Sequence, residues 1–369
     1  MMPMLRTAAA IVLCAVFSVH VRGGEWERAE VPREWNWPRD HGAHPEFKTE
    51  WWYFTGNLED ADGRPLGYQL TFFRQGIQRE PRQTLSRWAV KDFYFAHFTV
   101  SDIRGGRFHA FERSDRGALG QSSASETGMN VRLRGWSVEV LADGSFRLRA
   151  KQDGVAIDFV AAPKKPPVLQ GNRGLSQKAD GAGNASHYYS LTRMDTTGTL
   201  VLDGREIPVS GLSWCDREFS TSSLGDGQIG WDWFGLQLGS GEEVMLYLLR
   251  HRDGTIDRNS SGTWVHPDGA TTHLTREDFQ VVPTATWTSP RTKGTYPSRW
   301  TVRIPKLGVE LTVTPRLADQ ELILHDLGNL AYWEGACTVA GTRDGRPVAG
   351  SGYTELTGYA APLGTGMKE

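Results

Sequence analysis

The sequence predicts an all-β protein built as two tandem antiparallel β-barrels, and three observations predict it. Amphipathic helical periodicity is scarce, while short alternating or aromatic-rich runs dominate. Turn pairs separate those runs at Asp62-Gly63, Gly105-Gly106, Asp143-Gly144, Asp153-Gly154, Asp203-Gly204, Asp253-Gly254, Asp268-Gly269 and Asp344-Gly345. Asp-Gly supplies the positive φ that tight hairpins need. Finally, two phrases are written twice. Glu50-Trp51-Trp52-Tyr53-Phe54-Thr55-Gly56-Asn57-Leu58 is echoed by Trp231-Asp232-Trp233-Phe234-Gly235-Leu236-Gln237-Leu238. Both run on to a Tyr-x-Leu and an arginine: Tyr68, Leu70 and Arg74, then Tyr247, Leu249 and Arg250. The hairpin beginning Asp203-Gly204-Arg205 and ending Trp214-Cys215-Asp216 matches the one from Asp344-Gly345-Arg346 to Tyr353-Thr354-Glu355, which sets Trp214 and Asp216 opposite Tyr353 and Glu355.

Taken in order, residues 1–23 read as an export signal. Arg6 gives the first six residues one positive charge, 7–19 is apolar, and Val21-Arg22-Gly23 offers small residues for cleavage. A bilayer span would need ~20 apolar residues, so a retained anchor is the weaker reading. Cys14 could accept a lipid, but Leu13 is bulky where a small residue is wanted, and signal filler fits better. The protein is expected to be secreted or periplasmic, with peripheral membrane association left open. Residues 24–34 form an N-terminal extension. The first barrel is expected at 35–219 and the second at 220–369, each opened by the aromatic phrase and closed by the Asp-Gly-Arg hairpin. Strand runs fall at 66–73, 93–100, 131–140, 146–150, 155–159, 244–249, 300–304 and 309–313. Arg276-Glu277-Asp278-Phe279 suits a helical turn. The Pro/Lys-rich stretch 163–167 and the Gly/Asn/Ser-rich stretch 170–186 make a long loop, either a functional edge or a solvated insertion. Closing the sheets removes exposed edges.

Charge is nearly balanced at a formal −2, which excludes the basic excess that nucleic acid demands. Cys215 and Cys337 remain in the mature chain, with a disulfide or two buried thiols both open. Gly225-x-Gly227-x-x-Gly230 imitates a dinucleotide fingerprint, but it leads into a strand-like run where that mechanism requires a helix. Asp40-His41-x-x-His44-x-Glu46 lacks the helical spacing of a zinc hydrolase, so no metal and no organic cofactor are expected.

Residues two apart on a strand share a face. Glu50, Trp52 and Phe54 therefore share one side, and Trp51, Tyr53 and Thr55 the other. Trp231 and Trp233 share a face, as do Trp214, Asp216 and Glu218. If the last trio faces a hydrophobic hollow, two close carboxyls cannot both ionise easily, and one keeps its proton near neutrality. A neutral carboxylic acid can protonate a C=C bond or a leaving oxygen, and indoles can steady the resulting cation. The bland alternative is that rings and ion pairs staple a barrel end. His97 and His187 lie in aromatic surroundings and are either satisfied core histidines or pocket acid–base groups.

The run His44-Pro45-Glu46-Phe47-Lys48-Thr49-Glu50-Trp51-Trp52-Tyr53-Phe54-Thr55-Gly56-Asn57-Leu58, continued by Gly67-Tyr68-Gln69-Leu70-Thr71-Phe72-Phe73-Arg74, resembles the AttH/CrtC family of lipocalin-like proteins. Tyr188-Tyr189-Ser190-Leu191-Thr192-Arg193, Gly211-Leu212-Ser213-Trp214-Cys215-Asp216-Arg217-Glu218 and Tyr332-Trp333-Glu334-Gly335 fit the same pattern. That family includes carotenoid 1,2-hydratases, kievitone hydratases and exported proteins labelled hydrolases. The resemblance implies two tandem lipocalin-like barrels. It also implies a protein that binds an elongated apolar molecule, a lipid or isoprenoid, with cofactor-free hydration or hydrolysis as its chemistry. In this expectation Asp216 donates the proton, tuned by Glu218, and Glu50 or His97 positions water. Trp52, Trp214, Trp231 and Trp233 hold the substrate, alongside Trp51, Tyr53, His187, Tyr188, Trp333 and Glu334. The other expectation is a monomeric, non-catalytic carrier or accessory protein of a membrane transporter.

Overall fold

All but one of the runs become a single strand, usually longer than its apolar core, because ladder hydrogen bonds continue until a turn interrupts them. The computed structural model describes residues 25–79, 90–222 and 224–363, so the export signal and Cys14 lie outside the described residues. The first sheet uses β1 (Thr49–Asp60), β2 (Pro65–Gly76), β3 (Asp92–Asp102), β4 (Arg107–Asp115), β5 (Ser122–Ala124), β6 (Asn130–Leu133) and β7 (Trp136–Val140). It continues with β8 (Phe146–Gln152), β9 (Val155–Pro163), β10 (Val168–Leu169), β11 (Leu175–Gln177), β12 (Ala185–Leu202) and β13 (Arg205–Ser220). The second sheet uses β14 (Gln228–Leu238), β15 (Glu243–His251), β16 (Ser261–Val265), β17 (Thr271–Leu274) and β18 (Gln280–Thr288). It ends with β19 (Thr295–Ile304), β20 (Val309–Pro315), β21 (Glu321–Leu324), β22 (Leu330–Arg343) and β23 (Arg346–Leu356). Every pairing is antiparallel.

The order in the first sheet is β4-β3-β2-β1-β13-β12-β9-β8-β7-β6-β5, with β10 and β11 on β12. It curls into a near-closed barrel. Its seam is stitched by side chains rather than by a ladder: Arg113 of β4 reaches Lys151 O (2.9 Å) and Gln152 Oε1 (2.7 Å) and covers the Trp136 ring. The lumen is filled by Trp52, Phe54, Leu70, Phe98, Trp136 and Leu148. The second sheet, β17-β16-β15-β14-β23-β22-β20-β19-β18 with β21 on β22, is open, which corrects the expectation of two closed barrels. Its edge strand β18 is mostly exposed, contains Pro283 and slips register beside it, all features that end pairing.

Both residues have positive φ at Asp153-Gly154, Asp203-Gly204 and Asp344-Gly345, the backbone of a type I′ hairpin. Arg134-Gly135 does the same without an aspartate, and so the run at 131–140 is two strands, β6 and β7, rather than one. The helical turn appears at Arg276–Asp278, held by a Thr275 capping box. Among the described residues no helix is long and apolar enough to cross a membrane.

Cys215 is buried in the first core and Cys337 in the second, both as free thiols. Burial pushes the Cys337 thiol up to about 12. Both are expected to be silent to a thiol reagent in the native protein and to react after denaturation. A native protein in which either residue labels rapidly would contradict this packing.

Candidate functional site

The two sheets meet across β1, β2, β3, β12 and β13 on one side and β14, β15, β22 and β23 on the other. The strand period sorts the predicted site residues between that contact and the two cores. Tyr53, Tyr188 and Trp214 of the first sheet form one buried cluster with Trp233, Met245, Tyr247, Leu249 and Tyr353 of the second, with Trp51 and Trp231 packed at its margin. Trp233 meets Tyr53 (5.3 Å) and Trp214 (5.8 Å) edge to face.

Four carboxyls enter this aromatic contact. Asp216 accepts hydrogen bonds from Ser190 Oγ (2.5 Å), Trp214 Nε1 (2.7 Å) and Tyr188 OH (2.7 Å), and Trp233 Nε1 donates to that same tyrosine oxygen (3.1 Å). Glu218 accepts from Ser186 Oγ and pairs with Lys178 at 3.1 Å. Glu334 accepts from Tyr53 OH. Glu355 accepts from Trp231 Nε1 at 3.0 Å. An unpaired buried carboxylate costs several kcal/mol in proteins, so Asp216, Glu334 and Glu355 resist ionisation. Burial raises Asp216 to about 7; its hydrogen bonds pull the other way and Glu218 adds to the rise. Burial likewise takes Glu355 to about 7, opposed by Trp231 and reinforced by Asp216 and Glu218. Glu334 is pushed well above the usual carboxyl range by burial and then by Glu355. His97 is also buried here, bonded through Nδ1 to Tyr332 OH (2.7 Å), and burial lowers it to about 3.

The remaining predicted residues face elsewhere. Glu50 points into the opposite side of β1, where Arg74 Nε (2.5 Å) and Arg217 Nη2 (2.7 Å) clamp it and His44 N–H donates to it. Burial alone would raise Glu50; Arg217, His44 and Arg74 together hold it below the usual carboxylate range. Trp52 lies in the first core under the Arg217 guanidinium (3.9 Å), and Trp333 lies in the second core. His187 packs among Trp35, Phe47 and Phe219 at the barrel end. These four are not brought to Asp216. His44 binds Asp40 at 3.2 Å and stacks on Phe219, while His41 contacts Tyr189 OH at 2.6 Å. Among the described residues no group of three or more His, Cys, Asp or Glu is placed to hold a metal ion.

The repeat aligns the two halves as expected at two points and differently at a third. Tyr53 is paired with Asp216 in β1/β13, and Trp233 with Glu355 in β14/β23, so Asp216 and Glu355 are equivalent. Arg74 and Arg250 are equivalent too, lying opposite Glu50 and Gly230. The tyrosines are not: Tyr247 lies opposite Trp233, the place Thr71 takes opposite Tyr53. Lys178 was not anticipated. It comes from the long polar loop, lies over the Tyr247 ring at 4.2 Å, and has no motif around it. The hydroxyls of Ser186 and Ser190 were likewise overlooked, although their spacing from Tyr188 places all three on one face.

The margin of the contact is aromatic and partly open. Trp51, Trp231 and Glu355 are half-buried, and Phe73 stacks on Phe95 at 4.5 Å beside His97. Two surface concavities, of about 730 and 310 Å³, share none of the carboxyls; the smaller opens at the far end of β1 around Asn57, Glu59 and Arg316.

Against known proteins, the AttH-like family model matches residues 28–359. An AttH protein of known structure from Nitrosomonas europaea superposes with a TM-score of 0.80 at 35% identity, covering 89% of this chain and 99% of its own. Kievitone hydratase from Nectria haematococca shares the fold, with a TM-score of 0.67 at 17% identity over 90% of this chain and 97% of its own. In sequence, Dehydratase asqC of Emericella nidulans is 23% identical over 272 residues, 70% of this chain and 75% of its own.

Proposed function

The chain belongs to the AttH-like family, and from that premise we propose that it adds water to, or removes it from, an elongated apolar molecule held between its two sheets. The observation that carries this reading is Asp216: a carboxyl buried among Trp214, Tyr188 and Trp233, where burial raises it to about 7. Relatives named as a hydratase and a dehydratase support the class of reaction. In the hydration direction Asp216 protonates one alkene carbon, and the cation at its neighbour lies against indole faces. Water then attacks, and its surplus proton leaves through Glu355 at the half-buried margin. Dehydration runs the same steps backwards. Glu50 has no part in this step, because its charge is spent on Arg74 and Arg217 inside the barrel. The apolar stretch 7–19 extends the proposal to an exported enzyme.

The test is incubation with polyene and prenylated extracts in ¹⁸O-labelled water, read by mass spectrometry. Label should enter one product class as a water adduct, or water should be lost. Recovery of a tightly bound but unchanged lipid, with no labelled product, would instead support the carrier reading. Activity requires the protonated acid, so the rate should be level from about pH 5 to 7 and fall about tenfold per unit above the apparent pKa. A rate that climbs between pH 7 and 9 contradicts the assignment.

Lys178 sharpens this expectation. Its ammonium favours the ionised carboxyls around it, including Asp216. Lys178→Met should therefore raise the acid's pKa and move the falling limb to higher pH. A shift to lower pH would contradict the arrangement.

A further inference from the structure

Three buried polar atoms beside the acid site have no partner among the described residues: His97 Nε2, Glu334 Oε2 and Gln69 Oε1. All three side chains are at least nine-tenths buried. Buried polar atoms in native proteins are nearly always satisfied, and an orphan marks a place for something else. These three adjoin one another. Gln69 Nε2 donates to Tyr332 OH (3.2 Å), Tyr332 OH contacts His97 Nδ1 (2.7 Å), and Glu334 follows Tyr332 by two residues on the same face of β22.

We propose that this is a subsite for a carbonyl oxygen, so that the molecule acted on is an apolar enone or its β-hydroxy ketone rather than a plain hydrocarbon. The hydrogen positions give the reason. Tyr332 accepts from Gln69 and, in this proposal, donates its own hydrogen to His97 Nδ1, the tautomer that carries the ring hydrogen on Nε2. Burial keeps that imidazole neutral. Glu334 accepts from Tyr53 on Oε1 and is held in the acid form, so Oε2 carries its proton. Two unpartnered donors on one face are what a carbonyl oxygen accepts from, and they strengthen as that oxygen gains charge. Phe73 (5.1 Å) and Phe95 (5.8 Å) flank His97 and provide a wall for the apolar skeleton.

The proposal rests on the water-addition reading for its chemistry. Water's oxygen bonds to the β-carbon, the C=C π bond breaks, and negative charge moves to the carbonyl oxygen under His97 and Glu334. Asp216 supplies the proton to the α-carbon, and the proton lost by the attacking water leaves through Glu355, while Asp216 regains a proton before the next turnover. No oxidant or reductant is needed.

Binding tests it apart from turnover. The probes are β-ionone and the matched hydrocarbon lacking its oxygen, read by tryptophan fluorescence quenching with the full chain. The ketone should bind about tenfold more tightly for each hydrogen bond gained. That preference should collapse in His97→Phe and Glu334→Met, and return in Glu334→Gln, which keeps a donor. Asp216→Asn should keep the preference, so an intact preference without turnover in any assay would sink the hydratase reading and spare this one. Isotope-edited infrared spectra of the wild type need no variant: the labelled C=O stretch should move to lower wavenumber on binding. An unmoved stretch, equal affinity for both probes, or an unchanged preference in both loss variants would overturn the proposal.

Discussion

Asp216→Asn should lower turnover by about 10²–10⁴-fold, the usual contribution of a positioned general acid, and should leave a folded protein. The substitution is nearly isosteric. Its amide oxygen can keep the bonds from Ser190 and Trp214, and its NH₂ meets Tyr188 OH, whose second lone pair is free. What disappears is the exchangeable proton. Stability should change with pH in a way that separates chemistry from folding. An acid whose folded pKa is raised, here from 3.8 to about 7, binds more protons when native. Its favourable contribution is complete below the unfolded pKa and is lost as pH rises through the folded one. That shift corresponds to roughly 4 kcal/mol. Asn carries no such penalty. The variant should therefore match wild type near pH 4 and exceed it in urea resistance at pH 8. Wild-type turnover in a folded Asp216→Asn protein would remove this residue from the reaction.

The sequence reveals this acid because Trp214-x-Asp216-x-Glu218 follows the period of a strand, and the period depends only on backbone geometry. It reveals the equivalence of Asp216 and Glu355 because the hairpin motif is duplicated. What it leaves undetermined is which of the two alternating faces meets the partner sheet. Glu50, Trp52 and Trp333 have the same composition of surroundings as Tyr53 and Trp233, yet they point inward, and only packing settles that choice. Lys178 is harder still. It lies in a polar loop whose path depends on β10 and β11 docking onto β12, contacts that carry no local signal. Closure is also a global property: strand number and turn chemistry are readable, whereas the failure of β17 to reach β18 depends on how Pro283 ends one edge.

Arg217→Met should cost about 3–5 kcal/mol of stability, the range for breaking a buried ion pair from one side, and lower the melting temperature by roughly 10 °C for a unit of this size. Arg217 does three things at once. It neutralises Glu50, covers the Trp52 ring, and donates to the carbonyls of Trp51 (2.9 Å) and Gly42. Methionine fills the volume but leaves those acceptors bare. Glu50→Gln should destabilise in the same range, because Arg217 would lose the carboxylate that neutralises it and Arg74 would be left with Asp92. The pH dependence has the opposite sign to that of Asp216. Glu50 is held below its ordinary value, so its contribution is present above the unfolded pKa and fades as pH falls through the folded one. Acid therefore attacks the barrel end, alkali the inter-sheet acids, and stability should peak between those limits. Urea melts of both variants at pH 4 and pH 8 measure each side. Whatever Glu50→Gln protein stays folded should still turn over, since the Glu50 carboxyl lies on the inward face of β1, away from Asp216. A Glu50→Gln variant as stable as wild type but inactive would reverse the assignment and make Glu50 a catalytic group.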